Sequence, residues 1–315
     1  MIRAVLGAVS VLALSCAPRE APPKLCNCAT PVAPPLATTS APAMPNAAPT
    51  PAPAPAAPPS YTLEGTEVHE LASKITGKNY KLIVGPPSKP EPGRRYATLY
   101  VLDGYWDFIL IEALRGALHY DQAIPDVLIV GVAYAGEKPD VDSLRASDYT
   151  PTRDESRPDS GKGPEFLRFF EQELFPFVEA RYPSDPEHRV VSGASFGGLF
   201  TLYALFEKPE LFYGYVSMAP AARWDNGWLA RREREFRAGH PALAKRVWVS
   251  AASDEDPEKL PAMRDFIRQF EASRYQDLAL RTRLIEGERH AAMKVESYNR
   301  GLRWVLAPIA QKPSK

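Results

Sequence analysis

From about residue 66 onward the chain alternates between short apolar runs and longer stretches whose apolar positions recur at helical spacing. The first two runs, near 66–72 and 79–84, are separated by Thr76-Gly77-Lys78, which predicts an antiparallel hairpin. Further strand candidates fall near 96–102, 127–132, 188–192, 213–218, 246–251 and 280–285. Between the later strands, Phe166, Phe169, Phe170, Leu174, Phe177 and Val178 form a stripe that reads as core. Such regular alternation predicts an α/β fold, in which a mostly parallel central sheet carries helices on both faces and opens with the antiparallel hairpin. Residues 61–315 read as one catalytic domain, a common size for a single large core.

The chemistry enters at Gly193-Ala194-Ser195-Phe196-Gly197, directly after the apolar run Arg189-Val190-Val191 and before the helix-prone segment starting at Gly198-Leu199-Phe200. A serine flanked by small residues between strand and helix is the context of a nucleophile elbow, where the turn holds the serine backbone under strain and pushes its hydroxyl outward. Glycines two residues either side of the serine are expected to avoid collisions with the neighbouring strand and helix. A serine hydroxyl is a weak nucleophile until a base takes its proton. Of the five histidines, His290 alone follows a late strand candidate, after the turn Glu286-Gly287-Glu288-Arg289, and precedes a terminal helical pattern through Tyr298, Leu302, Val305, Leu306 and Ile309.

A carboxylate is then required to accept the imidazole N–H and fix the tautomer that leaves the other ring nitrogen free. Strand candidate 246–251 runs into Asp254-Glu255-Asp256, so three consecutive carboxylates offer themselves, and spacing does not choose among them. An oxyanion hole needs two backbone N–H groups. Phe196, just after the serine, supplies one, and Tyr105 or Gly104, in the turn Asp103-Gly104-Tyr105-Trp106 after strand candidate 96–102, supplies the other. Tyr105, Trp106, Tyr149, Trp224 and Trp228 fall in segments that could line a pocket.

Leu102-Asp103-Gly104, the serine elbow, Pro209-Glu210-Leu211-Phe212 with Met218-Ala219-Pro220, and Glu286-Gly287-Glu288-Arg289-His290 together resemble the esterase family of α/β-hydrolases that contains esterase D, the ferric enterobactin esterases and the mycolyltransferases. The resemblance runs from about Glu67 to Leu306 and is closest to the enterobactin-esterase-like branch. It implies the α/β-hydrolase fold, with Ser195 as nucleophile, His290 as base and Glu255 as the acid. It also implies that Arg145 with Asp148-Tyr149-Thr150-Pro151 lies on the substrate side, and Asp103, Trp106 and Trp224 are further substrate-side candidates from their place in the loops. The implied activity is a serine esterase working through an acyl-enzyme on siderophore-type or other extended esters, with acyl transfer on the same machinery, or a non-catalytic envelope-anchored binding role, as alternatives. The chain departs from the family pattern at Ala291-Ala292, where relatives carry glycine and serine, and at Ala252, where glycine is common.

Composition narrows the picture further. The formal net charge is +0, which removes any general argument for nucleic-acid or anionic-membrane binding. No phosphate-cradling glycine loop and no metal-ligand spacing occurs, so no cofactor is expected, and the partner is a small ester. Met1-Ile2-Arg3 followed by the apolar stretch Ala4 to Leu14 reads as a secretory signal over residues 1–16, too short to span a bilayer. Leu12-Ala13-Leu14-Ser15-Cys16 resembles a bacterial lipobox, which implies lipidation at Cys16 and membrane association through a lipid anchor in the bacterial cell envelope, periplasmic or surface. Residues 17–60 are dominated by proline and alanine and read as a disordered tether. Cys26 and Cys28 lie within it, and no cysteine follows, so the catalytic domain is expected to use neither a disulfide nor a thiolate.

Overall fold

A computed structural model describes residues 62–310. The signal and tether readings, with Cys16, Cys26 and Cys28, lie outside the described residues.

Eight strands form one sheet in the order β1-β2-β4-β3-β5-β6-β7-β8. The strands β1 (Glu67–Ala72) and β2 (Asn79–Gly85) pair antiparallel as the hairpin, and β2 pairs antiparallel with β4 (Leu128–Tyr134). All remaining pairings, through β3 (Tyr96–Val101), β5 (Ser184–Ala194), β6 (Gly214–Met218), β7 (Arg246–Ala252) and β8 (Ala279–Ile285), are parallel. Each of the eight expected strands is present. The main difference is β5, which starts at Ser184, four residues before the expected 188–192. Its opening residues Ser184-Asp185-Pro186-Glu187 are polar, so hydrophobic pattern alone could not reveal them.

Burial explains why these segments pair as they do. Strands β3, β4 and β6 are buried at every residue, which suits central strands covered on both faces. Helices α1 (Gly104–Tyr120) and α8 (Lys294–Ala310) cover one face. The other carries α2 (Val141–Tyr149), α3 (Gly163–Phe169), α4 (Phe175–Glu179), α5 (Phe196–Glu207), α6 (Trp224–Gly239) and α7 (Leu260–Ser273). A π-helical turn, Phe170–Leu174, joins α3 to α4, and the expected aromatic stripe is indeed core: Phe166, Phe169 and Phe170 are buried against one another and against Tyr80 and Phe200.

The topology dictates where a ligand can sit. Strand β3 pairs with β4 on one side and β5 on the other, so the connection after β3 and the connection after β5 depart to opposite faces of the sheet. A crevice at the carboxyl ends of the strands opens at such a switch point. The N-termini of α1 and α5 flank it.

The elbow between β5 and α5 is built by close backbone contact. A Cβ on Gly193 would come within 2.6 Å of the Gly197 backbone, and one on Gly198 within 2.7 Å of the Met218 carbonyl oxygen. A Cβ on Gly197 would meet nothing nearer than Leu102 Cβ at 3.5 Å. The motif's second glycine is therefore not the one pressed against the next strand; Gly198, one residue later, is. Gly198→Ala is expected to lower stability by about 1–3 kcal/mol, whereas Gly197→Ala stays within about 1 kcal/mol. Denaturant unfolding of the two variants checks this, and equal losses would contradict it.

Candidate active site

Ser195 sits at the junction of β5 and α5 with φ 59° and ψ −117°, a region that residues with a side chain rarely occupy. Three backbone hydrogen bonds hold it there. Its N–H donates to the Met218 carbonyl at 2.9 Å, and its own carbonyl accepts from Leu199 N–H at 2.9 Å and Ala221 N–H at 3.1 Å. The end of β6 thus braces the strained residue from the side.

The loops after β7 and β8 are tied to each other. Ser253 N–H donates to the Ile285 carbonyl at 2.9 Å, Asp254 N–H to the Glu288 carbonyl at 3.0 Å, and Gly287 N–H to Ser253 Oγ at 2.8 Å. This stitching brings Glu255 Oε2 to 2.5 Å from His290 Nδ1, while Glu255 Oε1 accepts the Asp256 N–H at 3.0 Å. The Glu255 side chain is 1% exposed and the His290 side chain 37% exposed. A carboxylate so placed accepts a hydrogen bond from Nδ1–H and leaves Nε2 as the basic nitrogen.

The two flanking acids have other partners. Asp254 accepts from Ser253 Oγ at 2.8 Å. Asp256 accepts the Glu258 N–H at 2.9 Å, which holds its carboxyl below the usual range, and it faces Lys259 at 3.4 Å. Each thus has a local partner, and of the three it is Glu255 that meets His290.

Ser195 and His290 line one cleft of about 440 Å³, together with Phe196, Trp224, Lys259 and Met263. Among the described residues the His290 ring is hydrogen-bonded to Glu255 and not to Ser195 Oγ. Trp224 packs edge-on against Phe196 at 5.3 Å and donates its indole N–H to Thr152 Oγ1 at 3.1 Å. Beside it, Asp225, Asn226 and Gly227 run through three successive left-handed conformations, which bends the entry of α6 around the cleft. Among the described residues no group of three or more His, Cys, Asp and Glu could hold a metal ion, and no helix is long and apolar enough to cross a membrane.

The oxyanion candidates occupy two helix starts. Phe196 is the first residue of α5. On α1, Asp103 takes a left-handed conformation at φ 56°, and its carbonyl accepts the N–H groups of Trp106 at 2.9 Å and Asp107 at 3.1 Å. The amides of Gly104 and Tyr105 precede these bonds and have no acceptor within the helix. Gly104 is pressed to within 2.6 Å, for a notional Cβ, of the Gly131 backbone, so this helix start is anchored on β4.

Asp103 is buried and grips Arg145 through both oxygens, at 2.6 and 2.9 Å. Burial raises the Asp103 pKa, and the Arg145 charge opposes that rise. The guanidinium lies 5.9 Å from the Phe196 ring and 5.7 Å from those of Trp106 and Tyr149, so it links the starts of α1 and α5. Tyr105 and Trp106 are exposed and line a separate cleft of about 290 Å³ with Asp103, Gly136 and Val141.

Three expected pocket residues are placed elsewhere. Asp148 is fully buried beneath the hairpin, where it pairs with Lys78 and accepts from Tyr80 OH at 2.8 Å; burial raises its pKa against the pull of Lys78. Tyr149 is also buried, and its hydroxyl accepts the Asp103 N–H at 3.2 Å, so it supports the oxyanion loop from behind. Trp228 packs on Tyr203, with ring centroids 5.8 Å apart. The expected substrate-side stretch therefore divides, with Arg145 next to the site and Asp148 and Tyr149 below it.

A second buried pairing was not foreseen. Asp107 on α1 accepts from Lys294 Nζ at 2.5 Å and Tyr298 OH at 2.6 Å on α8, which begins four residues after His290. Burial and the adjacent Asp107 carboxylate push the Tyr298 hydroxyl well above its usual pKa. The pair Lys294 and Tyr298, spaced i and i+4 on one helix face, was the available signal. It fixes the helix behind the histidine loop to α1.

The sheet order, the strained serine elbow and the histidine loop after the last strand define the α/β-hydrolase fold. Comparison with known proteins carries this further: the model of the Esterase family, described as "Putative esterase", matches residues 73–304, and the chain belongs to that family. Ferri-bacillibactin esterase BesA of Bacillus subtilis is 29% identical over 271 residues, which cover 79% of this chain and 92% of that protein. A siderophore enterobactin esterase of Emericella nidulans is 30% identical over 205 residues, covering 55% of this chain and 66% of the relative. The crystal structure of the BES protein from Bacillus cereus superposes with a TM-score of 0.72 at 26% identity, covering 79% of this chain and 97% of that one. The chain is an ester-hydrolysing enzyme.

Glu255→Gln is expected to lower kcat for a model ester by about 100-fold or more, while Asp254→Asn and Asp256→Asn change it by less than about threefold. Steady-state kinetics of the three variants checks the assignment, and a larger loss at Asp254 or Asp256 than at Glu255 would overturn it.

Proposed function

We propose that this protein is a serine esterase that opens siderophore-type esters through an acyl-enzyme. The observation that carries the reading is the buried Glu255 carboxylate at 2.5 Å from His290 Nδ1, in the same cleft as a serine held at φ 59°. Ser195 Oγ attacks the ester carbonyl as His290 Nε2 takes its proton, and Glu255 stabilises the imidazolium that forms. The Phe196 amide and that of Tyr105 or Gly104 receive the oxyanion. His290 then protonates the departing alcohol and next activates the water that releases the acid.

The substrate class is supported by the names of the relatives and by the cleft itself. Trp224 and Phe196 offer an aromatic wall. Arg223 and Lys259 share the cleft with Asp154 and Asp225, so its rim carries charges of both signs and the aromatic wall is what suits an extended aromatic ester. Residues 61–315 are the proposed catalytic domain. The proposed setting, supported by sequence alone, is an exported lipoprotein held by Cys16 in the cell envelope, with residues 17–60 as tether.

The test is to incubate the protein with ferri-bacillibactin and with a simple alkyl ester in ¹⁸O-water and to follow the products by mass spectrometry. The expected result is ¹⁸O in the released acid, preference for the siderophore, and a loss of about 10⁴-fold or more in Ser195→Ala. Undiminished turnover by Ser195→Ala would overturn the serine mechanism. Cleavage of the alkyl ester with none of the siderophore would overturn the substrate class alone, and transfer of the acyl group to an added alcohol in place of water would mark an acyltransferase.

A further inference from the structure

The even overall charge conceals a local basic groove. Arg246 on β7, Arg281 and Arg283 on the edge strand β8, and Arg300 and Arg303 on α8 surround a cavity of about 590 Å³. Trp248 pairs in register with Arg281, and alternation along the strands places Arg246, Trp248, Arg281 and Arg283 on the face covered by α8. The groove starts at Arg246, the amino-terminal end of β7, and reaches the later turns of α8. None of its lining residues is shared with the cleft that holds Ser195.

Its construction is that of an anion site. Trp304 carries two guanidinium groups on its ring, those of Arg246 at 4.5 Å and Arg281 at 4.0 Å, which orders side chains that would otherwise be mobile. Arg246 is further held by two hydrogen bonds to the Trp304 carbonyl, at 3.2 and 2.8 Å. Glu296 neutralises Arg300 at 2.7 Å. Among the described residues no carboxylate lies within 4.0 Å of the guanidinium nitrogens of Arg246, Arg281, Arg283 or Arg303. A second and independent observation comes from the core side: Trp248 lines the cavity, is 2% exposed, and its Nε1 has no hydrogen-bond partner. Buried donors are ordinarily paired.

We propose that this groove binds a phosphate-bearing ligand. Several guanidinium forks converging on one cavity match the geometry and charge of phosphate oxygens, and the unpaired Trp248 indole N–H lies buried in a residue of the cavity's lining. The site is separate from the ester-cleaving cleft and does not rest on the substrate proposed for it. The phosphate can belong to a lipid headgroup or to a soluble phosphoester, and both present the same oxygens to the arginines.

The experiment uses the full chain with Cys16→Ser, so that no acyl chain contributes, beside the same chain with Arg281→Gln and Arg283→Gln. Calorimetric titration with inorganic pyrophosphate, against sodium chloride at matched ionic strength, measures soluble binding. Flotation with phosphatidylcholine vesicles, with and without phosphatidylglycerol, measures headgroup binding. Binding to either phosphate probe is expected to fall about tenfold or more in the double variant, with ester hydrolysis unchanged. Arginine-dependent binding to the vesicles alone assigns a headgroup, and to pyrophosphate alone a soluble ligand. If neither probe binds, or binding is the same in the double variant, the proposal is wrong and the arginines serve only to shield the edge of β8 from pairing.

Discussion

The site depends on one strained residue. Holding Ser195 at φ 59° and ψ −117° costs about 1–3 kcal/mol, and the surrounding backbone must over-determine that conformation for it to persist. It does so by contact that only glycine permits. Gly193 meets Gly197 within the turn, and Gly198 meets the Met218 carbonyl, so β5, α5 and the end of β6 are locked at distances that exclude a Cβ. The hydrogen bond from Ser195 N–H to Met218 O closes the lock. Because β5 lies beside β3 at the centre of the sheet, the serine and the start of α1 face one crevice.

Around that point, buried charge is used as scaffolding. Asp103 with Arg145, Asp107 with Lys294 and Tyr298, and Asp148 with Lys78 and Tyr80 are three buried carboxylates, each compensated. Replacing one partner alone would leave an uncompensated buried charge, which is strongly destabilising. The first two pairings have a shared consequence. Asp103 and Asp107 both belong to the start of α1, so its amides are fixed from one side by α2, through Arg145, and from the other by α8, through Lys294. The helix start bearing an oxyanion amide and the helix following His290 are thereby tied to each other.

The central strands were legible in the sequence because a buried strand must be apolar whatever its neighbours, while β1 and β8, the half-exposed edges, showed only apolar residues alternating with polar ones. The positions of Ser195 at a strand–helix junction and of His290 in the loop after the last strand were legible because both are local features. What could not be read was whatever depends on pairing across the fold. Asp254, Glu255 and Asp256 are equivalent in spacing, and only the stitching of Ser253 and Asp254 to the loop after β8 shows that the middle one meets His290. Asp148 and Tyr149 belong to a motif that resembled a substrate contact, yet they end α2, whose last residues are buried beneath the site. The arginine groove was hidden for the same reason, since Arg246, Arg281 and Arg303 are far apart in sequence and a net charge of +0 averages over them.

The central claim is that Ser195 is an activated nucleophile made so by His290. The most direct measurement is labelling of the full chain with a fluorophosphonate, followed by mapping of the modified peptide by mass spectrometry. The account predicts a single adduct at Ser195 that is lost in a folded His290→Ala variant. An unlabelled folded protein, an adduct at another residue, or labelling of Ser195 that is indifferent to His290→Ala would contradict it.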